Sequence, residues 1–464
     1  MQFNSFTFLA FFAATFALYC CCSHRWQNRL LLAASYLFYA AWDYRFLALL
    51  LTYTVVNYLA GAKIGGSPSQ RVRKSWLLVS ISSSLGILGF FKYFNFFVEN
   101  LNALCIAIGL GECAGVLHVV LPVGISFYTF QTLSYTIDVY RQKNEPAPSF
   151  FDFALYVAFF PTILAGPIER AGNLLVQIGA ERKITPELFH ASAFLILFGL
   201  FEKVVVADNL AALVNSIYGS DSGDGLNVLI ATYAYTFQIF ADFDGYSNVA
   251  KGIAGLMGFR LVTNFNAPYF SDSPSEFWRR WHISLSSWLR DYLYIPLGGN
   301  RAGTAMTVRN LIVTMLLGGL WHGAGWMFIC WGAFHGLLLA VWLVFREAIS
   351  RVPPLVRRLL FFHLICFSWM IFRAESMAQL QAQLQALLFD FDPVPDAGQL
   401  LLIRKLLFYS AIVVVYQYLQ YRTARLIPVF DWPPAVRAAS YVMLFYMIVI
   451  FGFNSAQSFI YFQF

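Results

Sequence analysis

The chain has 464 residues, of which 59% are hydrophobic and only 12% are charged. Soluble domains carry about 25% charged residues, so this chain has too few polar residues to cover a soluble surface. Its 31 basic and 24 acidic residues give a net charge of +7, but the basic residues lie in short loops between apolar runs, which indicates membrane topology rather than a nucleic-acid surface. The composition predicts an all-α polytopic membrane protein. Because no long hydrophilic block occurs, we expect a single membrane-embedded domain over residues 1–464.

Apolar runs separated by short polar loops follow one another along the chain. The first run has no Lys or Arg before it and no small-residue cleavage site after it, so we expect it to remain as the first span. Several other runs are short enough to be partial spans. The runs cover residues 3–22, 30–42, 44–62, 76–94, 119–139, 150–165, 188–206, 226–241, 310–345, 358–372, 402–420 and 438–453.

The loops between these runs differ in charge. Basic residues follow the first, third, fifth and central runs, whereas the stretch 374–401 is acidic and has no Lys or Arg. The positive-inside rule therefore places the N-terminus and the 374–401 stretch on the external side, together with the aromatic tail Phe459–Phe464, which suits the membrane interface. The basic residues are His24, Arg25, Arg29, Lys63, Arg71, Arg73, Lys74, Arg141, Lys143, Arg346, Arg351, Arg357 and Arg358.

The seven cysteines show no spacing typical of metal binding or redox chemistry. Most lie inside apolar runs and no CxxC pair occurs, so we expect them to behave as small hydrophobic residues. They are Cys20, Cys21, Cys22, Cys105, Cys113, Cys330 and Cys366.

The segment 242–301 is more polar than its surroundings. Ser-Asp-Ser-Pro at 271–274 is a helix start signal, and the acidic Glu276 suits the first turn of a helix. The residues that follow predict an amphipathic helix at the cytoplasmic interface. Its polar face would carry Arg279, His282, Ser286 and Arg290, spaced by three or four, and its apolar stripe would carry Trp278, Trp281, Leu285 and Trp288 as membrane anchors. The pair Arg279-Arg280 fits either an interfacial anchor or a phosphate site.

The stretch Asn310–Phe345 contains no Asp, Glu, Lys or Arg. One membrane-spanning helix needs about 20 apolar residues, so these 36 residues are too many for one span and too few for two full ones. Glycines crowd around His322, which predicts a helix, a tight break at His322 and a second helix. An ionisable side chain at that depth is costly when charged, so it indicates a function.

Transfer of an acyl group from a thioester to a hydroxyl needs a base and a site that excludes water. Neutral imidazole is a suitable base, and burial favours the neutral form, so His322 fits this role. Gly323 and Gly325 would let a substrate approach the backbone closely. His335 fits a packing role better. Motifs of zinc proteases, nucleotide hydrolases and serine hydrolases do not occur, and no metal site is expected.

Several motifs together resemble the membrane-bound O-acyltransferase family, in particular its bacterial alginate O-acetyltransferase branch. The resemblance extends over nearly the whole chain and is strongest in the core at about 242–345. It rests on Leu121–Tyr128, Phe160–Ile168, Phe277–Ser286 and the residues through Arg301, Trp321–Trp326 and the tail Phe459–Phe464. One position departs from the related sequences. They often read Asp-Phe-Ser-Gly-Tyr-Ser, whereas residues 242–247 of this chain read Asp-Phe-Asp-Gly-Tyr-Ser, with Asp244 in place of the serine.

The resemblance implies a helical funnel with a thin waist, in which re-entrant or interfacial helices surround a central tunnel. It implies that His322 is catalytic and that His282 is a second catalytic residue. The residues expected to contact substrates are Arg279, Arg280, Ser286, Arg290, Trp321, Trp326 and Asp242.

The expected activity is transfer of an acetyl group from a cytoplasmic thioester, acetyl coenzyme A, for O-acetylation of an exported alginate-like or cellulose-like polysaccharide. The expected location is the bacterial inner membrane, with no bound cofactor and no nucleic-acid partner. The expected partners are an external acetyltransferase, the polysaccharide synthesis and export machinery, and membrane lipids.

Two other functions remain open at this point. One is D-alanyl transfer to teichoic acid from an acyl-carrier protein. The other is a lipid-linked sugar flippase or transporter, against which the chain shows neither internal repeats nor paired intramembrane acids.

Overall fold

The computed structural model describes residues 1–117, 119–164, 166–219, 224–453 and 459–460. Within these ranges the protein is built from helices and contains no β-strand, which confirms the predicted all-α class. The α-helices are α1 Phe6–Cys21, α2 His24–Asp43, α3 Leu47–Gly66, α4 Gln70–Leu88, α5 Phe94–Ala107, α6 Ile125–Tyr140, α7 Phe150–Ala158, α8 Phe160–Ile163, α9 Leu174–Gly179, α10 Pro186–Leu200, α11 Asp208–Tyr218, α12 Gly225–Leu256, α13 Pro274–Arg280, α14 Ile283–Leu289, α15 Gly303–His322, α16 Trp326–Ser350, α17 Pro354–Arg373, α18 Met377–Phe389, α19 Ala397–Thr423 and α20 Pro434–Phe451.

Eight helical segments in the described part of the chain are long and apolar enough to cross a membrane. The protein is therefore a multi-pass membrane protein, as the composition predicts. Three of the segments join consecutive helices: a 3₁₀ turn connects α2 to α3, and wide π-helical turns connect α4 to α5 and α10 to α11. The segments are His24–Gly66, Gln70–Ala107, Pro186–Tyr218, Gly303–His322, Trp326–Ser350, Pro354–Arg373, Ala397–Thr423 and Pro434–Phe451.

The chain forms two compact units that alternate along the sequence. The first unit comprises Met1–Ser192 and Ile253–Val262, and the second comprises Ala193–Gly252 and Thr263–Phe464. Every predicted site residue belongs to the second unit. The prediction of one membrane domain over the whole chain stays a prediction.

In the first unit, the two ends of the α4–α5 segment make different kinds of contact. At one end, the Arg73 side chain near the start of α4 donates to the carbonyl oxygen of Tyr140 at the end of α6, 2.7 Å away. Beyond the other end of the α4–α5 segment, Cys105 and Cys113 form a disulfide bond. The expectation that these two cysteines act as small hydrophobic residues is therefore wrong, because α5 and the following turn bring them together. Disulfides persist in oxidising compartments, so this bond agrees with an external position for that loop.

In the second unit, α15 and α16 form a closely packed hairpin. A Cβ atom on Gly319 would lie 2.2 Å from the Phe328 carbonyl oxygen, and one on Gly332 would lie 2.4 Å from the Met315 carbonyl oxygen. Small residues thus allow the two backbones to touch, as is common between membrane helices. The predicted helix, break and helix are confirmed.

We expected the uncharged run Asn310–Phe345 to be too short for two full spans, and this expectation is wrong. Helix α15 has 20 residues and α16 has 25, so each is long enough to cross the membrane. Both helices continue beyond the uncharged run: α15 begins at Gly303, before that run, and α16 ends at Ser350, after it.

The predicted single amphipathic helix after Ser273 is also wrong. It is broken at His282 into α13 and α14, so Arg279 and Arg290 do not share one helical face with His282. The apolar stripe is not a membrane anchor either, since Trp281, Leu285 and Trp288 are buried inside the second unit.

Candidate active site

His322 is the last residue of α15 and is buried. Three aromatic rings surround its imidazole, with centroid distances of 5.0 Å to Trp321, 5.1 Å to Trp331 and 5.5 Å to Phe372. The extended backbone of Gly323 then ends the helix. The local sequence therefore positions an imidazole at a helix end, inside an aromatic pocket of low polarity.

His282 lies at the junction between α13 and α14 in a left-handed backbone conformation, with φ 40° and ψ 55°. Two backbone hydrogen bonds hold this junction: Asn266 N–H donates to the Arg280 carbonyl oxygen and Ile283 N–H donates to that of Asn264, at 3.0 and 2.8 Å. A non-glycine residue in this conformation is uncommon and is often found at functional sites. The Asn264–Asn266 segment thus fixes the position of His282.

Trp321 links the two histidines that the sequence predicts to be catalytic. Its ring centroid lies 5.0 Å from that of His322 and 6.2 Å from that of His282. On another side, the Phe243 ring of α12 meets His282 edge-on at 4.5 Å. His282 is fully buried, and this burial lowers its pKa to about 3, so its imidazole is neutral at working pH.

The site includes aromatic residues that the sequence analysis missed. Trp331 of α16 contacts His322 and also His335, whose centroid is 4.7 Å away. Phe372 of α17 contacts both His322 and Trp331, at 5.5 and 5.3 Å, whereas Trp369 of the same helix packs against Trp331 at 5.9 Å, has no ring contact with His322 and is not part of the site. The spacing of Trp331 and His335 by one helical turn could have placed them on one face. No local signal points to Phe372, because it comes from a separate helix.

His335 is buried and packs among aromatic rings, as predicted for a packing residue. It stacks on Phe277 at 6.0 Å and meets Trp278 edge-on at 5.0 Å. These contacts also explain why Trp278 is half-buried rather than anchored in lipid.

Asp242 lies in a buried ion cluster. The Lys203 ammonium is 2.7 Å from Asp242 and 2.8 Å from Asp208. The second Asp242 oxygen accepts a hydrogen bond from the Ile460 N–H at 2.7 Å. In the tail, Phe459 and Ile460 are buried rather than placed at a membrane interface, and residues 461–464 lie outside the described part. Asp242 therefore binds protein groups on both of its oxygens.

Asp244, the position that departs from the related sequences, faces a second acid. Its carboxyl group is hydrogen-bonded to Glu202, which also accepts a hydrogen bond from the Asn248 amide at 3.0 Å. Both carboxyl groups are buried, so one of them must hold a proton to make this contact. Asp244 is thus part of a polar link between α12 and the turn that follows α10.

The two arginines at the end of α13 have different surroundings. Arg280 forms an ion pair with Glu276 at 3.0 Å and donates to the Asn266 carbonyl oxygen at 3.1 Å. Arg279 is exposed, and no group in the described ranges forms an ion pair or hydrogen bond with it. Of this pair, Arg279 is the one available to an anionic ligand.

Of the remaining predicted site residues, Ser286 is held near His282, since its N–H donates to the His282 carbonyl oxygen at 2.9 Å. Arg290 is exposed and forms an ion pair with Asp291 at 2.7 Å. The Ser286 hydroxyl donates to the Trp281 carbonyl oxygen at 3.0 Å. Trp326, the first residue of α16, is exposed.

The space beside Gly323 is filled by protein. A Cβ atom on Gly323 would lie 2.1 Å from the Phe328 ring, whereas one on Gly325 would lie 3.5 Å from it, so the predicted close approach of a substrate stays a prediction. The geometry offers two buried imidazoles joined by one indole ring, inside an aromatic surround. Such an arrangement can hold a neutral base in a site from which bulk water is excluded.

Comparisons with known proteins identify the family of this chain. The model of the membrane-bound O-acyltransferase family matches residues 31–381. The "Probable alginate O-acetylase" of Azotobacter vinelandii is 45% identical over 397 residues, which cover 84% of this chain and 78% of the relative.

Two other relatives act on different polymers, according to their names. The peptidoglycan O-acetyltransferase of Helicobacter pylori is 36% identical over 75% of this chain and 71% of its own length. The teichoic acid D-alanyltransferase of Streptococcus thermophilus is 31% identical over 49% of this chain and 59% of its own length. The family model covers most of the chain, and it includes the paired histidines and their aromatic surround. The chain therefore belongs to the membrane-bound O-acyltransferase family and is an O-acyltransferase.

Proposed function

We propose that this protein transfers an acetyl group from a cytoplasmic thioester, acetyl coenzyme A, for O-acetylation of an exported polysaccharide. The observation that carries the proposal is the burial of His322 at the end of α15, where three aromatic rings enclose it. The names of the alginate and peptidoglycan relatives support polysaccharide as the class of acceptor.

In the proposed reaction, neutral His322 takes the proton from the attacking hydroxyl. The aromatic rings around His322 exclude bulk water from the imidazole. His282 is the second catalytic group, and Trp321 keeps the two imidazoles at a fixed separation. General base catalysis by a positioned histidine contributes about 10²–10⁴-fold to a rate.

We place the protein in the cytoplasmic membrane of a bacterium. The donor would reach the site from the cytoplasmic face. An external acetyltransferase would complete transfer to the sugar hydroxyls, together with the synthesis and export machinery of the polysaccharide. These partners follow from the family resemblance and from the acceptor class.

The test compares polysaccharide acetylation in three strains. One lacks the gene, one produces the wild-type protein and one produces the His322→Ala variant. Mass analysis of surface polysaccharide should show acetyl groups only with the wild-type protein. His363→Ala is a matched control, because His363 is exposed on α17 and contacts its own helix through the Leu359 carbonyl oxygen. Normal acetylation by a membrane-inserted His322→Ala variant would refute the role of His322.

D-alanyl transfer is the second candidate, because the Streptococcus relative carries that name. This relative matches only about half of the chain, whereas the acetylase relative matches most of it at higher identity. The purified protein should therefore consume acetyl coenzyme A and leave a D-alanyl thioester on a carrier protein intact. The reverse result would replace the proposed donor.

A further inference from the structure

Several buried nitrogen atoms near His322 have no hydrogen-bond partner among the described residues. They belong to side chains that pack against one another on α16 and α17: Trp331 Nε1, Trp369 Nε1, and both ring nitrogens of His335. An unsatisfied buried donor costs about 1–3 kcal/mol, so native proteins contain few of them and each requires an explanation. Of these side chains, only Trp331 has a ring in contact with His322, so a group bound beside the proposed base would supply the partner of that one donor.

Trp331 is the residue of this group that contacts the proposed base. Its side chain is 1% exposed, and its ring lies edge-on to His322 at 5.1 Å between centroids. The indole N–H can only donate a hydrogen bond, so its partner must be an acceptor. The ring is held in place by Trp278, Trp369 and Phe372 at 5.8, 5.9 and 5.3 Å, which leaves little freedom for the indole to turn away.

Acyl transfer creates such an acceptor at the position of attack. When the hydroxyl oxygen attacks the thioester carbon, the carbonyl oxygen gains a negative charge and needs a hydrogen-bond donor. We propose that the Trp331 indole N–H donates to this oxygen and stabilises the tetrahedral intermediate formed beside His322. This inference rests on the proposed function, because it needs His322 to be the base for acyl transfer.

The proposed step transfers one proton and one acyl group. His322 accepts the hydroxyl proton while the oxygen forms a bond to the thioester carbon, and the carbonyl π electrons move to the oxygen that Trp331 binds. When the C=O bond re-forms, the C–S bond breaks and the thiolate leaves. The thiolate takes the proton from the imidazolium, which returns His322 to its neutral form and yields the ester and the free thiol.

Trp369 provides a matched comparison within the same aromatic group. It is also 1% exposed and its Nε1 also lacks a partner within the described ranges. Its ring contacts are to Trp281, Trp331 and Phe372, so it does not touch His322. Loss of its N–H should therefore leave the intermediate unaffected.

The experiment measures turnover of acetyl coenzyme A by the full-length protein in lipid nanodiscs. Trp331→Phe should lower kcat about 10²–10³-fold, the usual effect of removing one such donor, with the KM for the donor changed less than about twofold. Trp369→Phe should retain kcat within about threefold. Gel filtration and a melting curve determine the folded fraction of each variant. Each rate is then expressed per folded molecule.

A second variant separates the N–H from the shape of the ring. Incorporation of 3-benzothienylalanine at position 331 keeps the bicyclic ring and replaces the N–H by sulfur, so packing is preserved. It should lose as much kcat as Trp331→Phe. If this isostere turns over at the wild-type rate, or if Trp369→Phe is equally impaired, Trp331 does not bind the oxyanion.

The failure of this inference can be distinguished from that of the proposed function. His322→Ala is measured beside the other variants in the same assay. If His322→Ala is inactive and the isostere is active, only the role of Trp331 is refuted. If His322→Ala is active, the proposed base is wrong and the proposal for Trp331 fails with it.

Discussion

At the scale of single residues, the two candidate catalytic histidines are held in different ways. His322 ends a regular helix, so its position follows from the α15–α16 hairpin. His282 depends on a left-handed junction that backbone bonds from Asn264 and Asn266 maintain. A substitution at His282 therefore changes both an imidazole and a backbone preference, whereas one at His335 removes only a packed ring.

We predict that His282→Ala impairs activity severely, by at least about 100-fold, and that His335→Ala impairs it less. The reason is that His282 shares the Trp321 contact with His322. His282→Asn separates the two effects, since Asn tolerates the left-handed conformation and carries no imidazole. Donor turnover per folded molecule is the measurement. A greater loss with His335→Ala would show that the ranking of the histidines is wrong.

We also predict a pH effect on stability from His282. Burial lowers its folded-state pKa to about 3, below the unfolded value of about 6.5, so the unfolded chain binds the proton first as the pH falls. The stabilising contribution is complete above about pH 6.5 and is lost as the pH falls toward the folded pKa, with about 2 kcal/mol lost at pH 5. Denaturant unfolding at pH 7 and pH 5 should show a smaller decrease for His282→Asn. Equal decreases for the two proteins would contradict this prediction.

At the scale of helices, the sequence was most informative where a structure is local. The uncharged run and its glycines predict the α15 helix, the break and the α16 helix, because hydrophobicity and helix termination depend on neighbouring residues. The break at His282 could not be predicted in this way. It depends on pairing with Asn264 and Asn266, which lie before α13, and the regular spacing of Arg279, Ser286 and Arg290 instead favoured one continuous helix.

We predict that Gly332→Ala destabilises the hairpin. The added Cβ would lie 2.4 Å from the Met315 carbonyl oxygen, so the two helices would have to separate, at a cost of about 1–3 kcal/mol. The matched control is Gly86→Ala in α4, where no atom lies within 4 Å of an added Cβ. Melting temperatures in detergent should fall for Gly332→Ala alone. An equal fall for the control would assign the effect to the loss of glycine rather than to the helix contact.

Arginines expected to bind the donor phosphates lie in α13 and directly after α14. We predict that the double variant Arg279→Glu, Arg290→Glu raises the KM for acetyl coenzyme A by at least about 100-fold, because two charge-assisted hydrogen bonds of about 1.5–3 kcal/mol each are lost and each 1.4 kcal/mol is about tenfold. Both side chains are exposed, so folding should be little affected.

Arg346→Glu is the control for this pair, since Arg346 is also exposed but lies at the other end of α16 from the site. An anchoring role for Arg279 and Arg290 predicts a lower protein yield with an unchanged KM in the surviving fraction. That result would remove both arginines from the donor site.

At the scale of the whole molecule, composition and long motifs were enough to predict the class and the family. The full set of residues around His322 was not predictable, because Phe372 comes from a separate helix and no sequence pattern connects it to His322. The Cys105–Cys113 bond was missed because a spacing of eight residues in an apolar context does not differ from that of unpaired cysteines. Sequence reasoning thus singled out His322 but not the residues that surround it.

We predict a topology in which Asp392 is external and Ser69 is cytoplasmic. Both positions are exposed, so single cysteines placed there in a cysteine-free background should be accessible to solvent. An impermeant thiol reagent should label the cysteine at 392 in intact cells and the one at 69 only after permeabilisation. The opposite labelling would invert the orientation.

The ion cluster at Asp242 has a consequence for biosynthesis. Lys203 and Asp208 are close in sequence and Asp242 follows soon after, so these charges can pair while the ribosome is still extending the chain. The hydrogen bond to the second Asp242 oxygen can form only after Ile460 has been synthesised, 218 residues later. A nascent chain therefore carries a buried carboxylate that is only half satisfied, and final closure of this region follows translation. Products shortened before Ile460 should remain recognisable to membrane proteases, even when all their spans are already inserted.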